Sequence, residues 1–288
     1  MGVVVVTGTS TGIGQATAIT LARGGHTVFA GMRNLDRGGE LREITSKEKL
    51  PINVVQLDVD SDNSVEDAFN HILREKGQID VLVNNAGIGG GGPVELVPIA
   101  MFRQIMETNF FGGLRCIKAV VPSMRQRQSG CIINITSVAG QFGMSPQGPY
   151  AASKWAFEGL SECLAQELSP FNVRVAIVEP GVIATPMMTT PRPVPPPNPY
   201  SPSIRRMRAY FAASLKTPTS PFEVAKTVQD IVDGKSSKLR NPAGSDGAKL
   251  IQWRKSKTDE EWASLGAASD AEWVADAKKN MGVDVDLP

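Results

Sequence analysis

The stretch GPYAASKWAFEGL, at residues 148–160, places Tyr150 and Lys154 four positions apart. On a helix this spacing puts both side chains on one face, where a lysine ammonium can stabilise a tyrosine phenolate. A free phenol has a pKa of about 10 and is a poor base at neutral pH without such help. The pair could transfer a proton, but ordinary helix surfaces show the same spacing, so its interpretation depends on the rest of the chain.

A glycine-rich turn, TGTSTGIG, occupies residues 7–14 directly after the first apolar run. Gly8 permits a tight turn, Gly12 lets phosphate approach the backbone, and Gly14 allows a helix to lie close to a sheet. A strand, such a turn and a helix in succession typically bind pyrophosphate at the helix N-terminus. This motif predicts a nucleotide site.

The same turn also matches the G-x-S-x-G motif of α/β-hydrolases, with Ser10 as nucleophile. That mechanism needs a histidine late in the chain, but the only two histidines are His26 and His71. A serine hydrolase is therefore disfavoured. Two histidines are also too few for a His-rich metal site, and we predict no metal.

Composition narrows the class of protein. The 288 residues are 41% apolar and 20% charged with a net charge of +1, which fits a globular protein without a basic field for nucleic acid. The valine run at residues 3–6 is too short for a signal peptide or a bilayer span, so we expect a cytoplasmic protein. Cys116, Cys131 and Cys163 form no CxxC motif, and we expect all three to be buried packing residues.

Short, nearly continuous apolar runs alternate with helix-length amphipathic stretches. The predicted strands are 3–6, 27–30, 52–57, 81–83, 131–135 and 173–178, and the predicted helices lie near 13–24, 62–76, 99–127, 150–168 and 222–233. Apolar strands separated by helices indicate a parallel sheet covered on both faces. The expected fold is therefore a Rossmann-type, doubly wound α/β domain that binds ligands beyond the carboxyl ends of its strands.

Two later segments depart from this alternation. Seven of residues 191–202 are proline, which predicts an extended segment that is either an ordered lid or, through its PxxP spacing, an SH3-type ligand. The tail carries Trp253, Trp262 and Trp273, and two capping-box patterns predict short helices there. We expect these helices to pack on the core, with a pocket or subunit contact as the alternative. The predicted division is a catalytic domain at 1–243, including a lid at 186–221, and a helical extension at 244–288.

Several motifs in the same order resemble the short-chain dehydrogenase/reductase family. They are TGTSTGIG at 7–14, NNAG at 84–87, Asn109, Ser137 after CIINIT, YAASK at 150–154, and PG at 180–181. The resemblance extends over about residues 3–240. The AGMRN sequence that ends the second strand, and the long lid, look most like the hydroxysteroid and retinol dehydrogenase group.

The resemblance implies an oxidoreductase that interconverts a ketone or aldehyde and an alcohol. Tyr150 would protonate the carbonyl oxygen as hydride arrives, and Lys154 would lower the phenol pKa and bond the nicotinamide ribose. Ser137 would hold the carbonyl, and Asn109 would hold a water that links Lys154 to solvent. The alternative is a catalytically silent protein that senses NADP(H) and docks partners through the proline-rich segment.

The resemblance also implies where the cofactor lies. Asp58 would contact adenine, residues 84–87 would stand beside the adenine ribose and brace the sheet, and residues 180–185 would meet the nicotinamide. The predicted cofactor residues are Gly8, Ser10, Thr11, Gly12, Ile13, Gly14, Arg33, Asp58, Val59, Asn85, Ala86, Gly87, Tyr150, Lys154, Pro180, Gly181, Val182 and Thr185.

The end of the second strand favours NADP(H) over NAD(H). Met32 stands where NAD-binding sheets usually carry an acidic residue for the ribose hydroxyls, and Arg33 suits a 2′-phosphate, with Thr11 close enough to add a hydroxyl. An ion pair between Arg33 and Asp36 would instead leave NAD(H) possible.

The expected substrate is an apolar small-molecule carbonyl compound or alcohol in a pocket near the lid. Met187, Met188, Tyr210 and Phe211 could make that pocket apolar, although core packing explains them equally well. By family habit we expect a homodimer or homotetramer.

Overall fold

The computed structural model describes residues 1–191 and 193–287, and its core is one seven-stranded parallel sheet in the order β3-β2-β1-β4-β5-β6-β7. The strands are β1 Val3–Thr7, β2 Thr27–Met32, β3 Ile52–Gln56, β4 Val81–Asn84, β5 Gly130–Ile135, β6 Val173–Pro180 and β7 Arg240–Ala243. Val4 pairs with Val28 on one side and Val81 on the other, so the strand order reverses beside β1. Ligands bind at such a switch point in doubly wound sheets, as the sequence predicts here.

Helices cover both faces of the sheet. They are α1 Gly12–Arg23, α2 Gly39–Glu48, α3 Asp62–Lys76, α4 Ile99–Met106, α5 Gly112–Arg127, α6 Gly148–Leu168, α7 Pro186–Thr189, α8 Ser201–Ser214, α9 Pro221–Val232, α10 Gly247–Lys255, α11 Asp259–Ser264 and α12 Asp270–Asp276. One apolar core includes Ile19 of α1 and Val224 of α9, and the other includes Phe69 of α3 and Phe157 of α6. The predicted Rossmann-type architecture is confirmed.

The predicted helix at 99–127 is interrupted. A π-helical turn, Glu107–Phe111, joins α4 to α5 and turns Asn109 inward, where it is only 2% exposed. A π-turn inserts a residue into the helical repeat, so side chains beyond it change face. The turn therefore brings an asparagine into the protein, although a residue within a regular helix at this position would ordinarily face solvent.

One cysteine prediction is wrong. Cys116 and Cys131 are buried, but Cys163 is exposed. Cys163 lies on α6 between the buried Ser161 and Leu164, and it points away from the face that these two residues turn to the sheet. The elements α2, α7, α8, α10 and β7 were not predicted. Helix α2 buries only Leu41, β7 is a short edge strand that contains Pro242, and α8 begins at Ser201, within the stretch predicted to be extended.

The tail forms helices where the capping boxes predict them. Thr258 and Ser269 each accept the amide N–H of a glutamate three residues on and so begin α11 and α12. These helices pack with Phe142 and with Met207 and Tyr210 of α8 in a third apolar cluster. Over the described ranges, no helix combines the length and apolarity that a bilayer crossing needs.

Candidate active site

The turn between β1 and α1, at residues 7–14, has a backbone conformation and close contacts that require glycine at three positions. We call this turn the glycine cradle. Gly8 and Gly12 have φ values of +70° and +64°, which disfavour other residues. A Cβ on Gly14 would lie 2.3 Å from the Gly8 carbonyl oxygen and 2.4 Å from Asn85 Nδ2. Helix α1 therefore begins directly against the turn, as the sequence predicts.

Two features make this cradle fit a pyrophosphate. Thr11 occupies the N-cap of α1, but its side chain makes no capping hydrogen bond within the described chain. The first N–H groups of the helix are thus left for an anion. Asn85 Nδ2 donates to the Thr7 and Gly8 carbonyls at 2.8 and 3.1 Å, and this bracing holds the turn open.

The turn opens into a cavity of about 2310 Å³ along the carboxyl edge of the sheet. Its volume exceeds the roughly 300–1,000 Å³ of ordinary ligand pockets, so it has room for a dinucleotide and a second molecule. Seventeen of the eighteen predicted cofactor residues line it, namely Gly8, Ser10, Thr11, Gly12, Ile13, Arg33, Asp58, Val59, Asn85, Ala86, Gly87, Tyr150, Lys154, Pro180, Gly181, Val182 and Thr185. Gly14 lies behind the turn and supports it.

At the end of β2, Met32 is 1% exposed and Arg33 is exposed at the cavity wall. No ion pair joins Arg33 to Asp36 among the residues that the structure describes, and the Asp36 N–H donates to Asn34 Oδ1 at 2.9 Å. Sequence reasoning missed two charged residues at this end of the cavity, Arg37 and Asp60. Burial raises the pKa of Asp60, while a hydrogen bond from Thr108 opposes that rise.

Ser137, Tyr150 and Lys154 meet at the other end of the cavity. Ser137 follows β5, and the other two lie one turn apart near the start of α6. Lys154 Nζ lies 5.7 Å from the centroid of the Tyr150 ring and donates to the Ile135 carbonyl at 3.0 Å. The predicted tyrosine, lysine and serine are therefore together, and the strand end of β5 holds the lysine in place.

Burial perturbs both ionisable groups. Burial raises the pKa of Tyr150, and a hydrogen bond with Ser137 opposes that rise. Burial lowers the pKa of Lys154 to about 8, while the negative charge of Glu158 opposes the fall. A lysine whose pKa is lowered to about 8, beside a partly buried phenol, is typical of a proton-transfer site.

Asn109 stands behind these residues and does not line the cavity wall. Its side-chain amide accepts the Ile88 N–H at 2.8 Å and donates to the Ile88 carbonyl at 3.0 Å. It also donates to Ser153 Oγ at 3.0 Å. A Cβ on Gly87 would lie 3.2 Å from Asn109 Oδ1 and 3.7 Å from Lys154 Nζ, so the amide and the lysine are neighbours.

The loop after β6 is fastened by a residue that sequence reasoning missed. Asp246, from the segment before α10, accepts the Val182 N–H at 3.0 Å. A Cβ on Gly181 would lie 1.9 Å from an Asp246 oxygen, so the loop and the carboxylate can approach only because residue 181 is glycine. Across the cavity, a Cβ on Gly12 would lie 3.1 Å from Thr185 Cγ2, so Thr185 faces the glycine turn.

Comparison with known proteins agrees with this geometry. A model of the short chain dehydrogenase family matches residues 2–194. Retinol dehydrogenase 8 of Bos taurus is 44% identical over 187 residues, which are 63% of this chain and 59% of that protein. Across the first three curated relatives, the match spans only 59 to 63% of the relative's length.

Two solved structures share the fold over most of their length. A short-chain dehydrogenase from Streptomyces avermitilis has a TM-score of 0.79 at 29% identity and covers 96% of this chain and 98% of its own. The actinorhodin polyketide ketoreductase with NADPH has a TM-score of 0.72 at 27% identity and covers 83% of this chain and 94% of its own. The likeness thus extends past the family match into the C-terminal part of the chain.

Proposed function

This chain belongs to the short-chain dehydrogenase family, and on that premise we propose that it is an NADP(H)-dependent oxidoreductase that interconverts a carbonyl compound and an alcohol. The observation that carries the proposal is the meeting of Ser137, Tyr150 and Lys154 in a cavity whose other end is a glycine cradle. The cradle binds pyrophosphate, and the three side chains bind and protonate an oxygen.

In this proposal the chain's own residues donate the proton and stabilise the charge that remains. A bound nicotinamide supplies or accepts the hydride. Ser137 and Tyr150 hold the carbonyl oxygen, and Tyr150 donates its phenolic proton to that oxygen during reduction. The Lys154 ammonium then stabilises the phenolate, and Asn109 fixes the backbone of Ile88 beside it.

The preference for NADP(H) rests on Arg33. Its guanidinium is available at the cavity wall, whereas the buried Met32 offers no acceptor to ribose hydroxyls. Arg33→Ala should weaken NADPH binding at least about tenfold more than NADH binding, since charge-assisted hydrogen bonds contribute about 1.5–3 kcal/mol. Fluorescence titration with both cofactors measures this, and equal losses would contradict the assignment. Arg74→Ala, which removes an exposed arginine of α3, is the control.

The proposed substrate is bulky and apolar. Met187, Met188, Tyr210 and Phe211 line the cavity beyond the catalytic side chains, and Leu250 adds an apolar surface from the tail. An apolar wall favours a hydrocarbon body with one carbonyl or hydroxyl group directed at Tyr150. The described residues of the 186–221 segment supply much of this wall, which supports their role as a lid.

NADPH consumption with a panel of bulky ketones and aldehydes tests the activity. Tyr150→Phe should reduce kcat by about 10²- to 10⁴-fold, the usual contribution of general acid–base catalysis, while NADPH still binds. The control is Tyr200→Phe, which removes the exposed phenol that bonds Glu95. It should lower kcat by less than about fivefold, since a single exposed hydrogen bond contributes about 1 kcal/mol. If wild type binds the cofactor but shows no turnover, the result would favour the alternative, a catalytically silent protein that senses NADP(H).

We also propose that the chain self-associates through the surface around α5 and α6. Phe111 and Trp155 are 43% and 52% exposed there, and apolar side chains of this size favour contact with another protein. Light scattering of wild type and Trp155→Glu tests this, and a monomeric wild type would contradict it.

A cytoplasmic location stays a prediction.

A further inference from the structure

A group of charged side chains lies behind the proposed catalytic residues. Glu158 and Glu179 are 4% and 1% exposed, and Arg240 lies between them and the surface. Each of these three residues lies on a helix or strand that carries a residue of the proposed active site or lies beside that site. Glu158 is one helical turn after Lys154 on α6, Glu179 directly precedes Pro180 at the end of β6, and Arg240 begins β7.

Glu158 receives more hydrogen bonds than Glu179 does. Arg240 Nε, which carries a single hydrogen, lies 3.0 Å from Glu158 Oε2 and 3.6 Å from Glu179 Oε1. Glu158 also accepts the Thr136 hydroxyl at 2.6 Å. Glu158 is therefore well supplied with donors as an anion, whereas Glu179 Oε1 has no hydrogen-bond partner within the described residues.

A buried carboxylate oxygen without a donor is unfavourable, but a protonated carboxyl can itself donate to a neighbouring carboxylate. We propose that Glu158 and Glu179 hold one proton between them near neutral pH, and that this buried carboxyl pair, bridged by Arg240, keeps Lys154 protonated. Glu158 and Glu179 are then positioning residues that act through the lysine. The part that concerns Lys154 rests on the proposed function, but the proton on the pair does not.

The titration of the group agrees with its geometry. Burial and then the charge of Glu158 raise the pKa of Glu179 to about 7, while Arg240, a hydrogen bond from Gln141 and the charge of Lys255 oppose the rise. Burial also raises the pKa of Glu158, against the bonds from Thr136, Arg240 and Gln141. The charged groups that face the pair are Lys154 and Glu162 from α6, Arg240 from β7 and Lys255 from α10.

The first test uses the pH profile of kcat/KM for carbonyl reduction. Reduction requires the Lys154 ammonium, so the rate falls as pH rises through the lysine pKa. Glu158→Gln removes the nearby negative charge and should move this fall to lower pH by about one unit, a tenfold change in proton affinity. Glu162→Gln is the matched control, because Glu162 contacts the same arginine, at 2.7 Å, but from the surface. Equal midpoints for the two variants would overturn the role of Glu158.

The second test needs no activity and uses cofactor-free protein. Because the folded pKa of Glu179 lies above its ordinary value of 4.5, its stabilising contribution is present at low pH and is lost as pH rises through about 7. Chemical denaturation from pH 5 to 8.5 should show this loss in wild type and Glu162→Gln. It should be smaller in Glu179→Gln, which cannot ionise.

The same pH dependence in Glu179→Gln as in wild type would overturn the shared proton. Absence of carbonyl reduction by wild type would instead count against the proposed function, and the unfolding comparison would still decide the charge state of the pair. If Glu158→Gln does not fold, the unfolding comparison of Glu179→Gln with wild type still tests the shared proton. The pH profile of reduction by Glu179→Gln then tests the coupling to Lys154.

Discussion

Ser137 is the residue whose hydrogen bond lowers the pKa of the partly buried Tyr150. Its hydroxyl accepts the Ala139 N–H at 3.1 Å and so is held at the end of β5. Its hydrogen bond to Tyr150 opposes the rise in pKa that burial causes. A hydroxyl fixed in this way can assist both the substrate oxygen and the phenolate.

Ser137→Ala should therefore raise the pKa of Tyr150 further. Alcohol oxidation needs the phenolate, so the rise of kcat/KM with pH should move to higher pH, and kcat should fall about 100-fold or more, as it does when one oxyanion donor is lost. Ser161→Ala is the control, because that buried hydroxyl donates to the Phe157 carbonyl and accepts the Asn134 side-chain amide away from the cavity. It should lose about 1–3 kcal/mol of stability, because the buried Asn134 amide loses its acceptor, with no shift of the profile. An unchanged profile in Ser137→Ala would contradict the role of Ser137.

At the residue scale, sequence could predict those site residues that follow strand ends or share a helix face. Ser137, Tyr150 and Lys154 are of this kind. The bonds from Val182 to Asp246 and from Arg240 to Glu158 join residues 64 and 82 positions apart. Local periodicity contains no signal for such pairs, because only the sheet order brings β6, β7 and the tail together.

At the scale of elements, the junction of β1 and α1 leaves almost no room for side chains larger than glycine. The glycines there allow the helix N-terminus to face the cavity, and Asn85, directly after the neighbouring strand β4, fills the remaining space. A methyl group on Gly14 would press on both the Gly8 carbonyl and Asn85 Nδ2. The cofactor cradle and the packing of α1 therefore depend on the same residue.

Gly14→Ala should lower the free energy of unfolding by about 1–3 kcal/mol, the usual cost of overpacking, and also weaken NADPH binding. Gly159→Ala is a matched control within a helix, because nothing lies within 4 Å of its added Cβ. It should raise stability by up to about 1 kcal/mol, since alanine favours helix more than glycine does. Chemical denaturation and NADPH titration measure both effects. A Gly14→Ala protein as stable as Gly159→Ala would contradict the close packing.

Sequence predicted six of the seven strands and the helices α1, α3, α6 and α9, because each carries a continuous apolar run or an amphipathic period, but it did not predict α2, α8 or α10. It could not predict the π-turn at Glu107–Phe111, since the inserted residue leaves the amphipathic pattern on each side intact. It also missed β7, whose sequence RNPA has one buried alanine, a proline and two polar side chains. Pairing with β6 alone makes it a strand.

At the scale of the whole molecule, the tail and the lid share one apolar cluster. Trp253 of α10 lies 4.7 Å from Trp262 and 6.5 Å from Phe142, between ring centroids. Phe142 and Leu250 line the cavity, so the cluster forms part of its wall. The tail thus packs on the core and also borders the cavity, two arrangements that the sequence presented as alternatives. The domain division at residue 243 stays a prediction.

Trp253→Ala tests whether the cavity depends on the tail. Trp253 is 4% exposed, so its removal should cost about 3–5 kcal/mol through lost burial and the space left behind. Phe142 would lose a ring neighbour, and KM for a bulky substrate should rise more than KM for NADPH, because the glycine cradle lies at the other end of the cavity. Phe222→Ala, which removes a 45% exposed ring from α9, should change stability by less than about 1 kcal/mol and leave both KM values unchanged. If Trp253→Ala destabilised the protein but left substrate KM equal to wild type, the tail would support the fold without shaping the cavity.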